Sequence, residues 1–134
     1  MTFVLEQKEK ALERLESLFQ NSDTGMTRSR YLDMMEQLGK EPIEEEIPPD
    51  WEDLPEIFSR AMITFNSLGD RVYPDIGYIG KDYTNLPILL EIHGIEDKDY
   101  FLEILQWLDS RAIKKASEQL KREHEKLKRK SSGK

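Results

Sequence analysis

The residues most suggestive of chemistry lie at positions 73–87, in the stretch YPDIGYIGKDYTNLP. Gly77 and Gly80 stand three apart and Lys81 follows, which loosely resembles a loop that wraps a phosphate. Such a loop has wider glycine spacing and a Ser or Thr after the lysine, where this chain has Asp82, and no β-strand is predicted before it. The GXXG spacing also matches the clamp of a KH domain, but that module needs flanking strands and a basic environment. Both phosphate and nucleic-acid readings of the loop are therefore disfavoured.

A structural role explains the same stretch better. Glycine and proline allow the chain to reverse without strain, and an apolar connection of this length is too costly to leave in water. We predict an irregular, packed loop at residues 70–83. Five apolar side chains are expected to fold back over the helices: Val72, Tyr73, Ile76, Tyr78 and Ile79.

Residues suited to catalysis or metal binding are sparse. The chain has no cysteine, which excludes thiolate metal sites, disulfides and cysteine catalysis. His93 and His124 fall on different predicted helices, and no base is placed to activate a serine or threonine. The acidic groups at 44–46 and 97–99 lack the spacing of a calcium loop. We predict a protein that is not an enzyme and that uses no cofactor and no metal.

Charge is strongly polarised along the chain. The net charge is -7, but residues 114–134 hold nine Lys or Arg against three Glu, while the rest holds eleven basic and 24 acidic residues. Residues 41–56 carry eight carboxylates and no basic residue. An acidic body with a basic tail can bind a basic partner through the body, reach an anionic partner through the tail, or self-associate head to tail.

The first residues, MTFVLEQKEK, lack the apolar core of a signal peptide, and no apolar run approaches the roughly 18 residues that span a bilayer. The sequence therefore predicts a soluble cytoplasmic protein with no membrane partner.

Apolar residues recur every three or four positions through most of the chain, which predicts an all-α protein of about five helices. Four segments are expected: an N-terminal helical hairpin (1–39), an acidic proline-rich linker (40–50), a helical core (51–116) and a basic helical tail (117–134).

Helix boundaries follow from capping residues. The first helix, with Val4 and Leu5 in its apolar stripe, is expected over residues 3–20. Thr27 and Gly39 are expected to cap the second helix. A capping box from Asp53 to Glu56 is expected at the start of the third, Thr84 or Asn85 before the fourth, and Asp97 or Asp99 before the last.

The last helix is predicted to reach about Lys130, a length on the order of 45–50 Å. Its basic end must then project or pack against a partner. An approximate heptad rhythm runs through this end, at Ile113, Ala116, Leu120, His124 and Leu127, although the seam is too short to dimerise strongly by itself.

The order of features over residues 49–116 resembles a group of small tailed-phage proteins that are encoded beside the tape-measure gene and take part in tail assembly. The matching segments are PPDWEDLPE, IFSRAMITFNSLGDR, GKDYTNLPILLEIHGI and FLEILQWLDSRAIKKA. The usual Gln-Trp-Arg-like segment of that group is replaced here by NSLGDRVY. The resemblance implies a helical chaperone that coats the tape-measure protein while tail tube subunits polymerise, in the cytoplasm of a bacterial host, without a cofactor.

We interpret the chain as a protein–protein interaction module, with tape-measure or tail tube subunits as partners if the resemblance holds. The alternative is a small regulator that binds nucleic acid or the transcription machinery through its basic tail. The acidic body disfavours that alternative, as does the lack of aromatic residues in the tail. The residues expected to bind a partner are Trp51, Tyr78, Tyr83, Trp107, Arg122, Lys126 and Arg129.

Overall fold

The structure is a computed structural model that describes the backbone of residues 2–132 and the side chains of residues 7–131. The chain divides into two compact units, residues 1–59 and residues 60–134. The described residues form five α-helices and one two-stranded sheet, which confirms the predominantly helical fold class. The side chains of Val4 and Leu5, and residues 133–134 of the basic tail, lie outside the described residues.

Two helices open the first unit, α1 (Thr2–Thr24) and α2 (Arg28–Leu38). α1 ends four residues after its predicted end, since residues 21–24 remain helical although their side chains favour turns. Gly25, with φ 80°, follows the last turn of the helix. The predicted caps of α2 are confirmed: Thr27 Oγ1 accepts the Arg30 amide at 3.3 Å, and Gly39 is left-handed with φ 67°. The buried apolar residues of this unit are Ala11, Leu15, Leu18, Tyr31, Leu54 and Phe58.

A short 3₁₀ turn, Glu44–Glu46, lies within the acidic linker, and a second one, Trp51–Asp53, follows it. The capping box predicted at Asp53 and Glu56 is wrong, since Asp53 forms that box one turn earlier with Asp50, accepting its amide at 3.0 Å. Leu54 precedes a proline and is held extended, so it separates the 3₁₀ turn from the next helix. That helix, α3 (Glu56–Ser67), starts in the first unit and continues into the second.

An antiparallel β-hairpin follows α3, formed by β1 (Gly69–Tyr73) and β2 (Gly77–Asp82). The prediction of an irregular loop at residues 70–83 is therefore wrong. A β-bulge lies at the step from Arg71 to Val72, and Asp75 closes the connecting turn with φ 68°. The bulge interrupts the two-residue alternation by which strands are usually detected in a sequence.

The apolar plug predicted for this segment is only half correct. Val72, Tyr73 and Ile76 are exposed, because they lie on the outer strand and on the turn. Tyr78 and Ile79 are half-buried, because β2 is the strand that packs on the C-terminal helix.

The second unit is completed by α4 (Leu86–Ile92) and α5 (Lys98–Ser132). Asn85 precedes α4 as expected but its side chain makes no capping hydrogen bond, and Gly94, with φ 60°, follows the helix. Asp97 Oδ1 accepts the Tyr100 amide at 3.2 Å at the start of α5. The 35 residues of α5 confirm the long C-terminal helix and give it a length of about 52 Å. Its buried residues Tyr100, Phe101, Ile104, Leu105, Leu108 and Asp109 all lie in its first half. No helix in the described part of the chain has the length and apolar character needed to cross a bilayer.

Candidate functional site

The most elaborate polar site in the second unit is centred on Asp109, a carboxylate on α5 that is only 7% exposed. Its Oδ1 accepts the hydroxyl of Tyr78 at 2.6 Å. Its Oδ2 accepts the hydroxyl of Tyr83 at 2.7 Å and the backbone amide of Lys81 at 3.0 Å. One helix side chain therefore binds three groups, two in β2 and one just beyond its end. We call Asp109 and these three partner residues the Asp109 network.

Titration of the Asp109 network reflects these bonds. Burial raises the pKa of Asp109, but the hydrogen bonds from Tyr78, the Lys81 amide and Tyr83 outweigh it and leave the pKa below its usual value. Burial, followed by the bond to the carboxylate, raises the pKa of both tyrosines well above the usual value. At neutral pH the carboxylate is thus ionised and both hydroxyls keep their protons.

Gly80 allows the hairpin to approach α5 this closely. Its φ of 130° is one that residues with a side chain rarely adopt. A Cβ at this position would lie 3.2 Å from Asp109 Oδ2 and 3.6 Å from Ile113 Cδ1. The second glycine of the GXXG pair is therefore required by packing against the helix.

The Lys81 side chain has partners other than Asp109 and is only 9% exposed. Its ammonium group donates to Asp70 Oδ1 at 2.6 Å and to the Leu68 carbonyl at 3.3 Å. It also lies 4.6 Å from the centre of the Phe65 ring, a cation–π distance. The lysine of the GYIGK segment thus has internal partners, and it fastens β1 to the end of α3.

The first unit has a separate polar groove of about 730 Å³, lined in part by Arg14, Arg28, Glu44 and Asp53. Arg28 binds the Asp53 carboxylate and donates to the Pro48 carbonyl at 3.0 Å. The hydrogen bond from the Asp50 amide is the main cause that lowers the pKa of Asp53, and Arg28 adds to the shift. Arg14 also donates to the Asp53 carbonyl at 3.4 Å, so both arginines of the groove have partners within the protein.

The residues predicted to bind a partner fall into separate places. Trp51 is half-buried in the first unit, with its ring 6.1 Å from that of Phe19 in an edge-on arrangement. Trp107 is half-buried on α5. Tyr78 and Tyr83 meet at Asp109, so their hydroxyls are engaged within the protein.

The three predicted basic positions lie together on α5. Arg122, Lys126 and Arg129 are all exposed and are separated by four and three residues, which places them on one side of the helix. Whether these residues bind a partner stays a prediction, as it does for the four aromatic positions.

Asp109 itself was missed by the sequence reasoning. Its one signal is position, since an acidic residue interrupts the apolar stripe four residues after the buried Leu105. In the part of the chain that the structure describes, no group of three or more His, Asp or Glu side chains is arranged to hold a metal ion.

Comparison with known proteins gives no match: no protein-family model, no curated protein and no solved structure is significantly similar to this chain. The chemistry of its own surface must therefore carry any functional conclusion.

Proposed function

We propose that this chain is a non-enzymatic protein–protein interaction module whose binding element is the C-terminal end of α5. The observation that carries the proposal is the exposure of this end: every residue from 121 through 131 is exposed, although the helix continues to Ser132. We call residues 121–131 the helix extension.

The helix extension is unusual because a segment of eleven residues without a buried face gains little from being helical by itself. Six Lys or Arg and two Glu lie among these residues, so the segment is also strongly basic. A protein partner that covers the extension would supply both the apolar contact and the opposite charge that it lacks.

The Asp109 network has a structural explanation and is not part of the proposed binding element. A carboxylate that accepts three hydrogen bonds, two of them from tyrosines whose pKa is raised, is arranged to hold two elements together. We assign it the task of fixing the hairpin on α5.

A finer version of the proposal is a chaperone for phage tail assembly in a bacterial host cytoplasm, with a tape-measure protein or tail tube subunit as partner. It rests on the resemblance over residues 49–116. The helical fold is compatible with it, and the exposed end of α5 offers a surface for a helical partner.

The proposal is tested by purifying the chain through an N-terminal tag from its native lysate, with and without nuclease. We expect one protein to co-purify in both samples, to be identified by mass spectrometry, and to be lost when residues 121–134 are deleted. Retention of the same partner by the truncated chain would refute the assignment of the helix extension as the binding element. A long helical tail protein as the partner would support the finer version.

The exposed basic charge of the helix extension also favours a second function, binding of nucleic acid through the tail. Six basic residues on one solvated helix can neutralise phosphates and give a salt-dependent affinity. The 24 acidic residues outside residues 114–134 repel the phosphates, and the extension contains no Phe, Tyr or Trp that could stack on a base. Retention on immobilised DNA, measured against salt for the full and truncated chains, tests it; equal retention would exclude tail-mediated binding.

A further inference from the structure

The face of α5 that holds the hairpin continues beyond it as an apolar row. Asp109, Ile113, Leu120 and Leu127 are separated by four and seven residues, which aligns them on one side of the helix. At the hairpin, Asp109 binds β2 and Ile113 lies next to Gly80. Farther along, Leu120 is half-buried and Leu127 is 65% exposed. The hairpin therefore covers only the first part of this face.

The uncovered part carries a repeat. The tripeptide Leu-Lys-Arg begins at Leu120 and again at Leu127, so each residue of the first copy recurs seven positions later. Seven residues are close to two helical turns, and the copies therefore fall in register along the helix. The lysines Lys121 and Lys128 lie roughly 100° round the helix from the leucines, and the two arginines lie roughly 200° round, on the far side.

Lysines border the leucine row on both sides. Lys121 and Lys128 lie on one side, and Lys130 lies on the other, where Glu123 is the one acidic residue next to the row. All three lysines are exposed. Together with Leu120 and Leu127 they form what we call the leucine–lysine face.

We propose that the leucine–lysine face docks an amphipathic helix with an apolar seam and acidic flanks, contributed by a protein partner; this inference rests on the function proposed above. The leucines repeat at the seven-residue spacing at which helices pack side by side. The lysines occupy the flanking positions where complementary charge selects the partner and its register. This charge pattern therefore fits a partner helix that carries acidic residues beside its apolar seam.

The same pattern disfavours the other occupants. Two leucines bury too little apolar area to anchor a helix in a membrane surface. In an antiparallel copy of the extension, Lys121 and Lys128 would face their own counterparts. The phosphates of a nucleic acid would bind the arginines of the far side as well as the lysines, and they would not require the leucine row.

The experiment uses the full chain and a fluorescent synthetic peptide of four heptads, with leucine at the seam and glutamate at the flanking positions. The control peptide has lysine in place of each glutamate. Fluorescence anisotropy at low and at moderate salt gives the affinity. We expect the acidic peptide to bind and the basic peptide to fail.

Three variants locate the contact. Leu127→Ser removes an exposed side chain, so the fold is retained and the affinity is expected to fall about tenfold. The pair K121E/K128E is expected to lower the affinity by more than about tenfold. The pair R122E/R129E makes the same change of charge on the far side of the helix, and it is expected to lower the affinity less than about threefold.

Each contrary result overturns the inference. Equal loss from the lysine and arginine pairs would show that bulk charge attracts the peptide. Displacement of the peptide by duplex DNA, or by vesicles containing anionic lipid, would assign the face to those occupants. A dimer seen by sedimentation that disappears with Leu127→Ser would assign it to a second copy of this chain.

Failure of the inference is distinguishable from failure of the proposed function. If the full chain with K121E/K128E and Leu127→Ser combined still captures the nuclease-resistant partner of the wild type, the chain remains an interaction module and the leucine–lysine face is not its contact. If the wild type captures no protein, the proposed function fails, and peptide titration then reports only a surface property of the helix.

Discussion

Replacement of Asp109 by alanine tests whether the Asp109 network, rather than general packing, holds the hairpin on α5. The carboxylate accepts bonds at 2.6, 2.7 and 3.0 Å from Tyr78, Tyr83 and the Lys81 amide. Hydrogen bonds to a charged acceptor each contribute about 1.5–3 kcal/mol. The two tyrosines are half-buried and their hydroxyls can turn to water, so the three contributions do not add in full. We expect the free energy of unfolding to fall by about 3 kcal/mol.

Chemical denaturation followed by circular dichroism measures the global loss. Hydrogen exchange of the Lys81 amide measures the local one, because that amide donates to Asp109 and its protection depends on the carboxylate. Glu103→Ala is a matched control, since Glu103 is an exposed carboxylate on the same helix and its removal should cost less than about 0.5 kcal/mol. An Asp109→Ala loss below about 1 kcal/mol, with unchanged protection at Lys81, would refute the assigned role.

The pH dependence of the same variant gives an independent check. The pKa of Asp109 is lowered from 3.8 in the folded chain, so its stabilising effect is fully present above about pH 4 and is lost as the pH falls through the folded value. The difference between wild type and Asp109→Ala should therefore be constant near neutral pH and shrink in acid. A difference that stays constant down to pH 2 would mean that the carboxylate charge contributes nothing.

Three further outcomes are expected. The pKa of Tyr83 is raised from 10.0, so Tyr83 stabilises the fold below about pH 10 and loses this effect above it. The free energy of unfolding of Tyr83→Phe should therefore fall less steeply above about pH 10 than that of the wild type, and identical slopes would contradict this. Gly80→Ala should lower the free energy of unfolding, measured with denaturant, by about 2 kcal/mol. Gly69→Ala, whose Cβ would meet open space, should change it little, and equal effects would show that contact with Asp109 is unimportant. Deletion of residues 121–134 should leave the unfolding midpoint unchanged, because residues 121–131 are exposed, and a large shift would mean that they support the fold.

The helices could be predicted because their signals are local. The buried stripe of α5, which includes Phe101, Leu105 and Leu108, follows the helical period in the sequence itself. Thr27 and Gly39 cap α2 through contacts with residues no more than three or four positions away. Such boundaries need no knowledge of the rest of the chain.

The hairpin could not be predicted because its support is remote. Tyr78 and Tyr83 find their acceptor 31 and 26 residues later in the chain, on a helix. Gly80 has a backbone conformation that matters only because α5 lies against it. From the sequence, Asp109 could not be told from a solvated charge, since its burial depends on a strand that was itself not predicted.

Asp109 and Leu127 lie on one face of α5 but should act independently. They are separated by 18 positions, or roughly 27 Å along the helix, which exceeds the distance over which substitutions usually interact. Asp109→Ala should therefore lower the free energy of unfolding while leaving the affinity for the acidic peptide within about twofold, measured where the variant is still folded. Leu127→Ser should do the reverse. If Asp109→Ala also weakened the peptide, docking of the hairpin and ordering of the helix extension would be one cooperative event, and α5 as a whole would be the element that responds to a partner.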